Sequence, residues 1–170
     1  MTEITLRPFD LSDADDFMVW ASDEKVSAFC SWDAYTDKSD LLKYMADSVL
    51  PHPWLRAICL DSRPIGAISL TPVPSGGRHR AELGYVLASE HWGRGIVSEA
   101  VRMALGRAFG DVAGLERVEA LVDSENKASQ RVLEKVGFVR EGVLRKYWFM
   151  KGKTRDMVSY SFLATDRIIR

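Results

Sequence analysis

The centre of the sequence predicts a strand, a glycine turn and a helix in direct succession: Glu82-Leu83-Gly84-Tyr85-Val86-Leu87-Ala88-Ser89-Glu90-His91-Trp92-Gly93-Arg94-Gly95-Ile96-Val97. Alternating apolar residues between Arg80 and Leu87 are typical of a β-strand. Beyond the glycines, apolar residues recur at the spacing of one helix face: Val97, Ala100, Val101, Ala104, Leu105, Ala108 and Phe109.

The turn between this strand and helix is suited to an anion. The first turn of a helix has unpaired N–H groups and the positive end of the dipole, and glycines let a ligand approach the backbone. Arg94 would add a charge. The glycines are not followed by the Lys-Ser or Lys-Thr of a P-loop, and Ser98 stands where a dinucleotide fingerprint has its third glycine. From these residues alone, an ordinary tight turn is the alternative.

The remaining chain adds strands and helices on both sides. Before the turn, the patterns predict a strand from Thr2 to Pro8, a helix opened by a capping box of Ser12 and Asp15, a helix from Ser39 to Val49, and a hairpin of strands 54–60 and 65–71. An exposed loop from Thr71 to His79 follows. After the turn they predict strand 118–122, helix 126–136 ended by Gly137, and strands 143–149 and 157–163. This order predicts one mixed α/β domain, residues 1–170, with one main sheet.

Composition narrows the classes of function. Of 170 residues, 46% are hydrophobic and 28% charged, as in a globular protein. The net charge of −1 gives no attraction to nucleic acid, and no apolar run is long enough to cross a membrane. Cys30, Cys59 and three scattered histidines predict neither disulfides nor a metal site, so we expect small core thiols. The N-terminus lacks a secretory pattern, which leaves the cytoplasm as the default location.

A second group of residues connects this turn to a known family. Asn126-Lys127-Ala128-Ser129 opens the later helix and, together with Trp92-Gly93-Arg94-Gly95, resembles the GNAT superfamily of N-acetyltransferases, most closely its RimJ/RimL-like branch, which acetylates protein N-termini. Similar residues recur over nearly the whole chain: Leu6-Arg7-Pro8, Glu82-Leu83-Gly84-Tyr85 and Glu141-Gly142-Val143-Leu144-Arg145. The resemblance implies the GNAT fold, an α/β (α+β) arrangement. In that fold, helices flank a central mixed, mostly antiparallel sheet, and acetyl-CoA binds at the strand–turn–helix.

The resemblance also implies which residues bind acetyl-CoA. The family's pyrophosphate-binding turn, Gln/Arg-x-x-Gly-x-Gly/Ala, places Trp92 first, Gly95 at the central glycine and Val97 at the small position, where valine departs from the pattern. Backbone N–H groups would donate from Gly93, Arg94, Gly95, Ile96 and Val97. Strand residues Val86 and Leu87 would bind the pantetheine arm, and Asn126 would hold it or cap its own helix.

Catalytic roles follow from the same resemblance. Glu82 would deprotonate the amine, directly or through water, and the Leu87 N–H would stabilise the developing oxyanion. The tyrosine that protonates the thiolate in many family members is replaced by Leu133, so Ser129, the usual candidate in this branch, would donate to the CoA sulfur. Glu82 and Ser129 are also compatible with purely structural roles, as a solvated strand residue and a sheet-facing serine.

We therefore predict an acetyl-CoA-dependent N-acetyltransferase that transfers acetyl directly to a primary amine, without a covalent enzyme intermediate. Its acceptor would be a peptide or protein N-terminus. The alternatives are a small-molecule acceptor (polyamine, amino acid or amino sugar) and a non-catalytic acyl-CoA-binding module. The resemblance is compatible with a monomer or a homodimer. Trp32 and Tyr35 lie between the two early helices, where the resemblance implies the acceptor groove; the alternative is that they are core or loop anchors.

Overall fold

The computed structural model describes residues 3–74 and 77–170, which form seven strands and five α-helices. The strands are β1 (Ile4–Arg7), β2 (Leu55–Leu60), β3 (Arg63–Pro72), β4 (Arg80–Leu87), β5 (Arg117–Asp123), β6 (Val139–Met150) and β7 (Lys153–Leu163). The helices are α1 (Ala14–Ala21), α2 (Glu24–Ser27), α3 (Lys38–Tyr44), α4 (Ile96–Asp111) and α5 (Lys127–Val136).

The strands form one sheet in the order β1-β2-β3-β4-β5-β7-β6. Strands β4 and β5 pair in parallel, whereas β1 with β2, β2 with β3, β5 with β7 and β6 with β7 pair antiparallel. This mixed, mostly antiparallel sheet flanked by helices confirms the predicted fold class. In the part of the chain that the structure describes, no helix is both long and apolar enough to cross a membrane.

The backbone of the described chain divides into two compact units. The single domain over residues 1–170 therefore stays a prediction. The first unit contains residues 3–69 and 84–100. Its core is rich in aromatic side chains because α1 carries Phe17 and Trp20 on its buried face. Their rings lie 4.6 Å apart, and Phe9 packs 5.2 Å from Phe17. Ala57 and Cys59 of β2 close this core from the sheet side.

The second unit contains residues 70–74, 77–83 and 101–170. Strand β5 buries every second side chain, Val118, Ala120 and Val122, which is the period of a strand with one face in a core. Helix α5 begins at the N-cap Asn126 and ends at Gly137, whose φ of 110° is left-handed, so the prediction of this helix and of its glycine end is confirmed.

The predicted start of the first helix was wrong. The capping box consists of Asp10 and Asp13, not Ser12 and Asp15, and it opens a short 3₁₀ turn before α1. Arg7 explains the shift, because its guanidinium binds both oxygens of Asp13 at 2.8 Å and lowers the pKa of that carboxyl. Two parts of the sequence patterns, Thr2 and the loop positions Ser75-Gly76, lie outside the described residues.

Other boundaries also differ from the sequence-based expectations. Strand β3 runs through Pro72, so it takes up the first part of the predicted loop. Strands β6 and β7 begin at Val139 and Lys153, four residues earlier than predicted in each case. The short helix α2 was not predicted, and the helix predicted from Ser39 to Val49 finishes as a π-helical turn over Met45–Val49.

Candidate active site

The predicted glycine turn lies in the first unit, between the end of β4 and the start of α4. Gly93 and Gly95 have φ angles of 74° and 76°, a conformation that glycine adopts without strain. The carbonyl of Gly95 accepts the first helical hydrogen bond, from the Glu99 N–H at 3.1 Å. The N–H groups of the next three residues therefore have no acceptor one turn earlier in the helix. A Cβ added at either glycine meets no heavy atom of the described chain within 4 Å, so a ligand can reach this backbone. These features fit the pyrophosphate of acetyl-CoA.

Two side-chain contacts stabilise the turn. The indole Nε1 of Trp92 donates to the Leu87 carbonyl oxygen at 2.9 Å, which ties the turn to the end of β4. Nevertheless, 49% of Trp92 is exposed. Arg94 lies 3.0 Å from Nδ1 of His91 and points along the surface of the same turn. Trp92 thus has a structural role at the position where the family pattern has Gln or Arg.

The end of β4 is held unusually close to β3. A Cβ added to Gly66 would lie 2.3 Å from the Val86 carbonyl oxygen, so only glycine fits there. The Ala88 N–H donates to the Ile65 carbonyl oxygen at 2.8 Å and fixes the exit of the strand. The backbone of Val86 and Leu87, predicted to bind the pantetheine arm, is therefore positioned by β3.

Glu82 lies at the start of β4, in the second unit, opposite Glu119 of β5 in the parallel register. Burial, and then the charge of Glu119, raise the pKa of Glu82 above its ordinary value. Arg117 partly neutralises the carboxylates of Glu119 and Glu141. Its Nε binds Glu119 at 2.8 Å and its Nη2 binds Glu141 at 2.6 Å. Glu82 is half-buried rather than solvated. Its carboxyl retains a proton at a higher pH than an exposed carboxyl.

The other predicted residues of the second unit lie at the start of α5. The Asn126 side chain accepts the Ser129 N–H at 3.1 Å, which confirms that Asn126 caps the helix. Ser129 is half-buried. Leu133 is fully buried and apolar, so this position provides no phenol to protonate a thiolate.

A buried polar network supports this helix start. Arg155 binds Asp123 at 2.8 Å, with their side chains only 11% and 5% exposed. The Gln130 Nε2 donates to the carbonyl of Ser124 at 3.0 Å and to that of Asp123 at 3.3 Å. The network fixes the chain between β5 and α5. Sequence reasoning missed it, since Arg155 and Asp123 are 32 residues apart along the chain.

An aromatic pocket of about 210 Å³ lies in the first unit. Its walls combine strand residues 67–69 and 84–86 with five aromatic side chains, Phe17, Trp20, Trp32, Tyr35 and Tyr44. Successive rings along Trp32, Tyr35 and Tyr44 are 6.2 Å apart. Cys30 also lines the pocket and is half-buried, so the expectation that it is a core thiol was wrong. For Cys59, which is fully buried, the same expectation is confirmed.

The electrostatics of this pocket are those of an uncharged site. Burial raises the pKa of Tyr44, and burial followed by the charge of Asp40 raises that of Tyr35, so both phenols are neutral near pH 7. The indole N–H of Trp20 is buried and has no hydrogen-bond partner among the described residues, an arrangement that costs about 1–3 kcal/mol. Of the pocket's aromatic residues, sequence analysis had singled out Trp32 and Tyr35 as candidates for an acceptor groove.

The structure thus groups the predicted site residues in two sets. Val86, Leu87 and the turn from Trp92 to Val97 lie together in the first unit, and Glu82, Asn126 and Ser129 lie in the second. Sequence reasoning missed Glu119, although its alternation with buried residues placed it on a polar strand face. Within residues 3–74 and 77–170, no cluster of three or more His, Cys, Asp or Glu side chains is arranged to hold a metal ion.

Comparison with known proteins identifies the class to which this fold and turn belong. Residues 3–139 match the family model described as the acetyltransferase (GNAT) domain, so the chain belongs to the GNAT acetyltransferase family and is an acyltransferase. It is similar to the Bacillus licheniformis protein described as uncharacterized N-acetyltransferase p20, with 32% identity over 96% of this chain and 94% of that protein.

Solved structures and relatives with named substrates extend the comparison. A GNAT-family acetyltransferase from Bacillus anthracis has the same fold, with a TM-score of 0.86, 24% identity and 98% coverage of both chains. Mycobacterium smegmatis RimJ in complex with CoA-disulfide has a TM-score of 0.77 and 27% identity, over 95% of this chain and 82% of that one. Two Escherichia coli enzymes are each 29% identical over 52% of their own length. They are the [ribosomal protein uS5]-alanine N-acetyltransferase, matched by 60% of this chain, and spermidine N(1)-acetyltransferase, matched by 58%.

Proposed function

We propose that this protein transfers the acetyl group of acetyl-CoA to the free N-terminal amine of a peptide or protein, as a RimJ/RimL-like enzyme. The observation that carries the proposal is the open glycine turn at the N-terminus of the 16-residue helix α4, directly after β4. The relative described as a [ribosomal protein uS5]-alanine N-acetyltransferase supports this choice of acceptor. The relative described as a spermidine N(1)-acetyltransferase supports a small amine as the competing acceptor.

In this proposal the turn holds the donor by its phosphates. Backbone N–H groups from Gly93 to Val97 bind the pyrophosphate, assisted by the positive end of α4. Backbone groups of Val86 and Leu87 bind the pantetheine arm, and the Leu87 N–H donates to the acetyl carbonyl oxygen as negative charge develops there. The bracing of Leu87 by Trp92 keeps this geometry in place before the donor binds.

The acceptor must lose a proton before it attacks the acetyl carbon. An α-amino group has a pKa of about 7.7–8.0, whereas that of a lysine amine is about 10.4, so an N-terminus is the easier nucleophile at neutral pH. Glu82 is the proposed base. It would take the proton from the amine directly or through water. Its raised pKa favours this role.

The departing thiolate takes up a proton in the last step. Ser129 is the proposed donor, because the fully buried Leu133 has no hydroxyl. As the carbon–sulfur bond breaks, the Ser129 hydroxyl passes a proton to the sulfur and takes one from water, so the serine ends neutral. Asn126 would hold the pantetheine arm from the same helix start while it caps the helix.

A thiol-release assay with an amine panel tests the proposal. The panel contains peptides with free N-termini, the same peptides N-terminally blocked but with an internal lysine, spermidine, amino acids and amino sugars. We expect acetyl-CoA-dependent release of CoA with free N-termini only, and mass spectrometry should place the acetyl group on the first residue. Turnover restricted to small amines would overturn the proposed acceptor. Acetyl-CoA binding with no turnover at all would indicate a non-catalytic module.

A further inference from the structure

The aromatic pocket of the first unit has a size and a polarity that limit what it can hold. Its volume of about 210 Å³ exceeds the roughly 150 Å³ that binds a benzene ring in an apolar protein cavity. The pocket therefore accommodates a leucine, methionine or phenylalanine side chain, and it is larger than an alanine methyl group needs.

Charge further restricts the occupant. Among the described lining residues there is no Asp, Glu, Lys or Arg, and Tyr35 and Tyr44 are neutral near pH 7 because their pKa values are raised. A carboxylate or ammonium group entering the pocket would lose its hydration without gaining a counter-ion. Aromatic faces also attract cations, so a basic occupant is the alternative that the experiment must test.

The position of the pocket links it to the reacting amine. Its strand wall includes Val86, the residue immediately before Leu87, whose N–H the proposed function places at the acetyl carbonyl. The first residue of a peptide carries its amine and its side chain on the same carbon atom. An amine that lies beside Leu87 therefore brings that side chain to the mouth of the pocket.

Building on the proposed function, we propose that the pocket selects acceptors whose amine-bearing residue has a large apolar side chain. Trp32, Tyr35 and Tyr44 are then specificity-determining residues. Peptides that begin with Leu, Met or Phe would be preferred to those beginning with Ala, Asp or Lys, and polyamines would be poor substrates.

The test compares kcat/KM for peptides that differ only in the first residue, with leucinamide, alaninamide and spermidine as small-amine probes. We expect Leu-first and Phe-first peptides to exceed the Ala-first peptide by about 10- to 50-fold, because differences of a few methylene groups in an apolar pocket have effects of this order. Indifference to the first residue, or a preference for Ala, Asp, Lys or spermidine, would overturn the inference.

Variants then assign the preference to the pocket. Trp32→Ala removes one wall and should reduce the Leu-to-Ala ratio of kcat/KM towards one. Phe29→Ala is the matched control, because Phe29 lies on the same segment, is 44% exposed and is not among the lining residues. Cys30→Met should fill the pocket and lower activity on Phe-first peptides by about 10-fold while Ala-first peptides keep theirs. Equal ratios in all three variants would contradict the inference.

The outcomes separate this inference from the function on which it rests. Acetylation of peptides without a preference for large apolar residues overturns the pocket assignment alone. Acetylation of leucinamide in preference to alaninamide, with no peptide acetylated, supports the pocket and overturns the peptide acceptor. Turnover of spermidine alone, or turnover of no amine, overturns both.

Discussion

Replacing Gly66 with alanine tests whether the close fit of β3 against β4 positions the donor site. The new methyl carbon would lie 2.3 Å from the Val86 carbonyl oxygen and 3.1 Å from the Leu87 Cα. A carbon atom and a carbonyl oxygen approach to about 3.3 Å, so the strands must move apart by about 1 Å. The atoms in the way belong to backbone, so no side-chain rotation can relieve the contact.

Two effects of Gly66→Ala should be measurable. Overpacking at such a site costs about 1–3 kcal/mol, and we expect the upper part of that range for the free energy of unfolding. Displacement of Val86 and Leu87 by about 1 Å should lower kcat/KM for acetyl-CoA by about 100-fold. Urea unfolding followed by tryptophan fluorescence measures the first effect, and thiol release at varied acetyl-CoA and fixed acceptor measures the second.

Gly106→Ala is the matched control for this substitution. Gly106 lies inside α4, and an added Cβ meets no heavy atom of the described chain within 4 Å. Alanine there should raise stability by about 0.5–1 kcal/mol and leave kinetics unchanged. If Gly66→Ala loses stability but retains its kcat/KM for acetyl-CoA, the link between the β3 contact and the donor site is refuted.

Four further predictions concern the second unit. Glu82→Gln should lower kcat/KM about 100-fold or more. Because folding raises the pKa of Glu82, the ionised side chain destabilises the folded state, so the variant should gain stability over the wild type as pH rises from about 4 towards neutral and show no gain in acid; pH-dependent unfolding measures this difference. Glu119→Gln should lower the pKa of Glu82 and shift the acidic limb of the kcat/KM profile to lower pH, so an unmoved limb would exclude Glu82 as the base. Asn126→Ala should cost about 1 kcal/mol, whereas Asn126→Asp should keep the cap but raise the KM for the anionic donor; equal KM values for both variants would leave Asn126 with a capping role only. Arg155→Ala should cost about 3 kcal/mol in thermal or urea unfolding because it leaves the Asp123 carboxylate buried, and a loss below 1 kcal/mol would contradict the reasoning.

Helices and strands with a clear local sequence pattern could be predicted to within one residue at the ends named here. Strand β4 begins and ends at the predicted residues, and α5 has the predicted cap at Asn126 and the predicted end at Gly137. Helix α4 starts one residue earlier than its apolar pattern indicated, at Ile96. In each case, the determining interactions join residues within one helical turn or along one strand.

The misjudged elements depend on partners elsewhere in the chain. The capping box moved to Asp10 because Arg7 holds Asp13 in place. Strand β6 begins at Val139 although its side chains are mostly exposed, so the buried–exposed alternation that identifies a strand is weak there. Its bounds follow from pairing with β7, which a pattern within β6 does not encode.

The sequence by itself determined the strand–turn–helix of the donor site and the family to which it points. The glycines at 93 and 95 and the asparagine at 126 could be read locally, because backbone freedom and helix capping are properties of a few adjacent residues, and the motifs along the rest of the chain pointed to the family. Only the tertiary structure placed Glu119 beside Glu82, set Gly66 against the Val86 carbonyl and gathered the aromatic side chains into one pocket. Strand register and pocket shape arise from packing between segments far apart in the chain, so no local pattern specifies them.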